Sequence, residues 1–139
     1  MIDLSSDRSA LLDQVKRIVS DSPPPDSVAA FYFGIFFRQE AEDARHWPQI
    51  YLIGASWFDP DDQDWACPEE DSWQPERRYL NLPALRAAEG NDLDVLEACA
   101  NLLRSCKSEL SDLLGSAIKR PVAVGWDDGD VETIFSVGG

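Results

Sequence analysis

The chain has 139 residues, 44% of them hydrophobic and 10% aromatic, so it fits one domain over residues 1–139 with a core of its own. No run approaches the roughly 18 apolar residues that span a bilayer. Twenty-six acids against twelve bases give a formal charge of −14, which makes nucleic acid and anionic membranes poor partners, because both need Lys and Arg to replace counterions.

Residues 4–20 place Leu11, Leu12, Val15, Ile18 and Val19 at helical spacing, with Ser5, Ser6 or Asp7 to cap the start. Acids fall early and there is no cleavable apolar core, so the expected location is the cytoplasm. Pro23, Pro24 and Pro25 then end the helix. Residues 28–38, VAAFYFGIFFR, are the most β-prone stretch and are apolar on both faces, which predicts a central strand covered on both sides. Gly34 within it marks a bulge or a close approach by a neighbour. A polar loop that includes His46 leads to a second strand, residues 50–58, paired with the first as an antiparallel hairpin.

Residues 57–78, WFDPDDQDWACPEEDSWQPERR, hold three tryptophans, eight carboxylates and three prolines, too irregular a mixture for long regular structure. A short third strand follows at residues 78–82, and Pro83 opens a helical turn that Gly90 ends. The main helix, residues 92–114, carries the stripe Val95, Leu96, Cys99, Leu102, Leu103, Cys106, Leu110, Leu113 and Leu114. Asn91 or Asp92 caps it and Gly115 closes it. Residues 121–126 and 131–137 are two last strands around the turn Asp127-Asp128-Gly129-Asp130, where Asp-Gly suits a tight hairpin. The order α-β-β-β-α-β-β predicts an α+β fold: an antiparallel sheet of about five strands with two main helices, packed on one face.

Recognised chemistry is sparse. Asp59, Asp61, Asp62 and Asp64 resemble the start of a calcium loop, but the sixth position is Asp64 where a glycine is required, so an EF-hand is rejected. One histidine, His46, and no Cys-x-x-Cys pair leave no zinc motif, and no metal or other cofactor is expected. His46 reads as a loop residue packed on its neighbours. There is no nucleophile elbow, and Cys67, in an acidic field that opposes a thiolate, reads as a buried structural thiol. Cys99 and Cys106 lie about 10 Å apart along one helix, too far for a disulfide. Paired carboxylates for hydrolysis stay open, since so many acids offer many pairs.

The acidic–aromatic loop has two readings. Trp57, Trp65 and Trp73 can tuck inward and hold the loop on the sheet, or one of them, or Tyr79, can stand outward as an anchor ringed by carboxylates. At least one tryptophan is expected to face in. A second patch, Asp127, Asp128, Asp130 and Glu132 beside Trp126, repeats the acid-plus-tryptophan chemistry.

The segments Tyr51–Gly54 (YLIG), Asp64–Cys67 (DWAC), Arg78-Tyr79-Leu80 and Ala123–Asp130 (AVGWDDGD) form a pattern that resembles small bacterial cytosolic proteins of the immunity type, some found beside polymorphic toxins. The resemblance covers the middle of the chain and the C-terminal hairpin, and it leaves the proline loop unexplained. It implies an inhibitor that binds its cognate toxin and has no catalysis of its own. No binding residues carry over, because such inhibitors vary most where they touch their targets.

The leading expectation is therefore a non-enzymatic binding protein for a basic partner, such as a toxin domain. Asp61, Asp62, Glu69 and Glu70, with Asp127, Asp128 and Asp130, would steer it, and Trp73 or Trp65 would anchor it. The alternatives are a small carboxylate- or metal-dependent hydrolase using acids near residues 59–64 and 127–130, and an acidic oligomeric adaptor using the aromatic strand at residues 31–37. Plain solubility also accounts for an acidic surface.

Overall fold

Leu11, Val15 and Ile18 recur three and four residues apart, and their burial on one stripe makes a helix of this segment, α1 (Arg8–Asp21), after a single 3-10 turn, Ser5–Asp7. The computed structural model describes residues 2–39, 46–127 and 129–139. The proline segment after α1 is gripped from the sheet: Arg120, almost fully buried, donates to the Pro25 carbonyl at 3.1 Å and lies over the Phe31 ring.

Five strands follow among the described residues: β1 (Ala30–Gln39), β2 (His46–Ala55), β3 (Tyr79–Leu80), β4 (Arg120–Trp126) and β5 (Val131–Val137). They form one sheet in the order β3-β2-β1-β4-β5. β1 is central and buried on both faces from Ala30 to Ile35, as its unbroken apolar run predicts. The expected β1–β2 hairpin is present, with Phe31 opposite Gly54 and Gly34 opposite Tyr51. One pairing departs from the antiparallel expectation. β4 runs parallel to β1, Phe31 beside Val122, because the chain re-enters the sheet centre only after crossing through the helices. The sheet is mixed within an α+β fold.

Four helices appear among the described residues rather than two: α1, the short α2 (Pro83–Arg86), α3 (Asp92–Ser105) and α4 (Lys107–Leu114). The helix expected over residues 92–114 breaks at Cys106. Its apolar stripe continues across the break, with Cys99, Leu103, Cys106 and Leu110 all buried. The cause is local: the Ser105 hydroxyl donates to the Leu102 carbonyl, and the Cys106 N–H bonds back three residues to Leu103, tightening the last turn of α3. Asn91 caps α3 by accepting from Asp94 N–H.

Asp7 does not cap α1 through its side chain. Its buried carboxylate crosses to α2 instead, one oxygen accepting from Ala84 N–H and the other from Leu85 N–H, each at 2.9 Å. An Arg8–Glu109 ion pair joins α1 to α4 on the surface. Helices and sheet enclose one large core that includes Leu11, Leu103, Phe33 and Val124. Among the described residues no helix is long and apolar enough to cross a membrane.

Candidate functional site

Alternation along the strands sends Phe31, Phe33, Ile35 and Leu52 toward the helices, and Tyr32, Gly34, Phe36, Tyr51 and Ile53 to the opposite face. Among the described residues no α-helix contributes to the cluster on that second face. Residues 56–78 cover part of it: Trp57, Phe58, Trp65 and Ala66 pack on Ala30, Tyr32, Ile53, Ala55 and Ala123. Trp65, at the 3-10 turn Gln63–Ala66, meets Tyr32 edge-on and packs against Phe58.

The loop then rounds the edge of β2. Trp73 exchanges both backbone hydrogen bonds with Gly54, at 2.7 and 2.9 Å, and its indole falls on the helix side, edge-on to Phe31. Gly54 has a physical reason: a Cβ there would press on Val28 and on the Trp73 ring. The two tryptophans thus hold the loop to opposite faces of the sheet, Trp65 over its centre and Trp73 at the edge of β2. Trp65 is 2% exposed and Trp73 7%, so neither stands out to meet a partner; the exposed-anchor expectation for both is corrected, and the inward reading of the loop holds. The exposed aromatic groups are Tyr79 at 44% and Phe37 at 49%, Phe37 stacking on Trp126. In the rest of the aromatic strand Phe31 to Ile35 are buried and Phe36 is half-buried.

The carboxylates divide by use. Asp59 accepts from Asp61 N–H and Asp62 from Asp64 N–H, so these two side chains order the loop. Asp61, Asp62, Glu69 and Glu70 are all exposed. Asp127 and Asp130, on the β4–β5 connection, are exposed as well, and Asp128 lies outside the described residues. The two acidic segments meet. Gln63 of the loop accepts from Val131 N–H at 2.6 Å, and Val131 packs with the Trp65 cluster.

Between them the second face stays open as a cleft of about 350 Å³. Phe36, Tyr51 and Tyr79 wall it, with ring centroids 5.7 to 6.4 Å apart. Pro68, Gln74 and Arg78 border it from the loop, Asp127 from the hairpin, and Ile53 from β2. Gly34 is the close approach that the sequence suggested: a Cβ at that position would collide with the Tyr51 ring. The Tyr51 hydroxyl is pushed up to about 12, chiefly by burial and then by Asp127, with smaller effects of Cys67 and Tyr79. At neutral pH it is a protonated donor. Arg78 lies over Tyr79, 5.0 Å from the ring centroid, and donates to the Pro75 carbonyl.

Other expectations change. Cys67 is exposed beside Pro68 rather than buried, while Cys99 and Cys106 are buried free thiols. Burial pushes the Cys99 thiol up to about 12, which makes it inert. His46 is an exposed first residue of β2 rather than a loop residue. Among the described residues no group of three or more His, Cys, Asp or Glu side chains is arranged to hold a metal ion. The cleft residues Tyr51 and Gln74 carried no assigned role from sequence, and Phe36 carried one only as part of the aromatic strand at residues 31–37. Gly34, the gap over which Tyr51 lies, pointed to the place, and the sequence singled out Tyr79 and Asp127 without the cleft that joins them.

No family model, curated protein or solved structure matches the chain.

Proposed function

We propose that this chain is a non-enzymatic acidic binding protein, an immunity-type inhibitor that covers the basic surface of an effector or toxin domain. The observation that carries the reading is the junction of the two acidic segments through Gln63 and Val131, which joins the loop that bears the exposed Asp61, Asp62, Glu69 and Glu70 to the hairpin that bears the exposed Asp127 and Asp130. A partner with a basic cleft, such as a nuclease, would be drawn to such a face by its field. The motif resemblance over residues 51–54, 64–67, 78–80 and 123–130 supports the same class of partner. Trp65 and Trp73 act here as the internal frame of the face, and Tyr79 is its exposed aromatic contact.

The test is co-expression with the product of the adjacent open reading frame, followed by association kinetics on the purified pair. The expected result is rescue from toxicity and an on-rate that drops about tenfold or more between low and high salt. A variant with Asp61→Asn, Asp62→Asn, Glu69→Gln and Glu70→Gln should associate more slowly at low salt while keeping its fold. An unchanged on-rate in that variant, or a neighbour that binds with no salt dependence, refutes the reading.

A further inference from the structure

We infer that the cleft walled by Phe36, Tyr51 and Tyr79, with Asp127 at its mouth, receives an arginine side chain projected by the basic partner. The inference rests on the proposed function for its partner and on the cleft alone for its chemistry. The three rings meet at mutual angles of 47° to 71°, so no two are coplanar and the cleft is lined by aromatic faces set in different orientations. A planar, weakly hydrated guanidinium stacks on such faces better than a compact ammonium does. The volume, about 350 Å³, takes the three-carbon stem and the fork of one arginine.

The sign of the field selects the ligand. Asp127 is near enough to raise the Tyr51 hydroxyl, and the adjoining loop adds Glu69, Glu70 and Asp71, within a chain of net charge −14. An anionic ligand would have to enter against that charge. Among the described residues Arg78 is the one cation on the cleft wall. Its guanidinium is already engaged by the Tyr79 ring and the Pro75 carbonyl, so a carboxylate ligand would have to draw it away from both. Arg78 shows that these walls accept a guanidinium, and its charge weakens the binding of a second one. Arg78 is therefore the residue that separates the ligand classes.

The experiment uses the free chain and small probes. Aromatic resonances of Phe36, Tyr51 and Tyr79 are followed by NMR during titration with N-acetyl-arginine amide, its neutral isostere N-acetyl-citrulline amide, and N-acetyl-glutamate amide. Saturable shifts with the arginine probe are expected, with citrulline at least about tenfold weaker. Asp127→Asn, a change at an exposed position, should weaken the arginine probe about tenfold, and Arg78→Gln should tighten it severalfold. Equal binding of citrulline, preference for the glutamate probe, or loss of arginine binding in Arg78→Gln overturns the inference. Because no partner is present, the two readings fail separately. Failure of the probe while a basic protein still binds with steep salt dependence removes the cleft assignment alone.

Discussion

Val131 donates its backbone N–H to the Gln63 side chain, joining positions 68 residues apart and tying the acidic loop to the C-terminal hairpin. Gln63→Ala removes that acceptor. The expected cost is about 1 kcal/mol of stability, with faster hydrogen exchange at Val131 and unchanged protection in β1. Unaltered protection at Val131 would mean that the contact does not hold the two segments together in solution.

The two buried tryptophans and the outer acids should separate in a denaturation series. Trp65→Ala and Trp73→Ala each lose about 3–5 kcal/mol, because each empties a packed aromatic contact, whereas Asp61→Asn and Glu70→Gln stay within about 0.5 kcal/mol of the parent. Trp73→Phe should be the mildest ring change. Phe keeps an edge-on partner for Phe31 and removes Nε1–H, which is buried without an acceptor among the described residues. Urea midpoints decide the matter, and a Trp73→Ala midpoint equal to the parent's would show that the loop is not clasped as described.

Asp7 is the buried tie between the N-terminal segment and α2. Asp7→Ala leaves the N–H groups of Ala84 and Leu85 without their acceptor and should cost about 2–3 kcal/mol. Asp7→Asn, with a single carbonyl oxygen for two donors, should fall between. Hydrogen exchange at Ala84 and Leu85 reads the effect directly, and equal losses for the two variants would contradict it.

Tyr51 makes the fold alkali-sensitive. Its folded pKa of about 12 lies above the ordinary 10.0, so between those values the folded chain holds a proton that the unfolded chain has released. The stabilising contribution is complete below pH 10 and is lost as pH rises from 10 to 12. Absorbance titration should find one phenol ionising late. Asp127→Asn should lower its midpoint yet leave it above 10.0, since burial is the larger cause. A midpoint at the ordinary value in the parent chain would disprove the buried hydroxyl.

What sequence could disclose followed from periodicity. β5 was legible to its ends because turn residues bracket a β-rich run, and β1 was legible as a two-sided strand because its apolar residues do not alternate. The break at Cys106 was hidden: a stripe of buried positions runs through it, and the Ser105 hydroxyl bond that causes it has no pattern. The parallel β1–β4 pairing is a matter of strand order, which side-chain spacing does not encode. The cleft was hidden for a related reason. It needs the register that sets Gly34 against Tyr51, together with the loop and the hairpin lying on one face.

The backbone pairing of Trp73 with Gly54, together with β3 beside Ile50 and Tyr51, has a consequence for association of another kind. A ten-residue strand left bare would offer its amides to any passing chain and invite fibrillar stacking. The segment that bears the outward carboxylates is also the guard rail of that strand. Its hold on the strand comes from main-chain bonds and inward rings, so outward residues whose side chains do not order the loop, such as Asp61 and Glu70, are free to be exchanged. Such a surface can be readdressed to a new target without exposing the strand behind it.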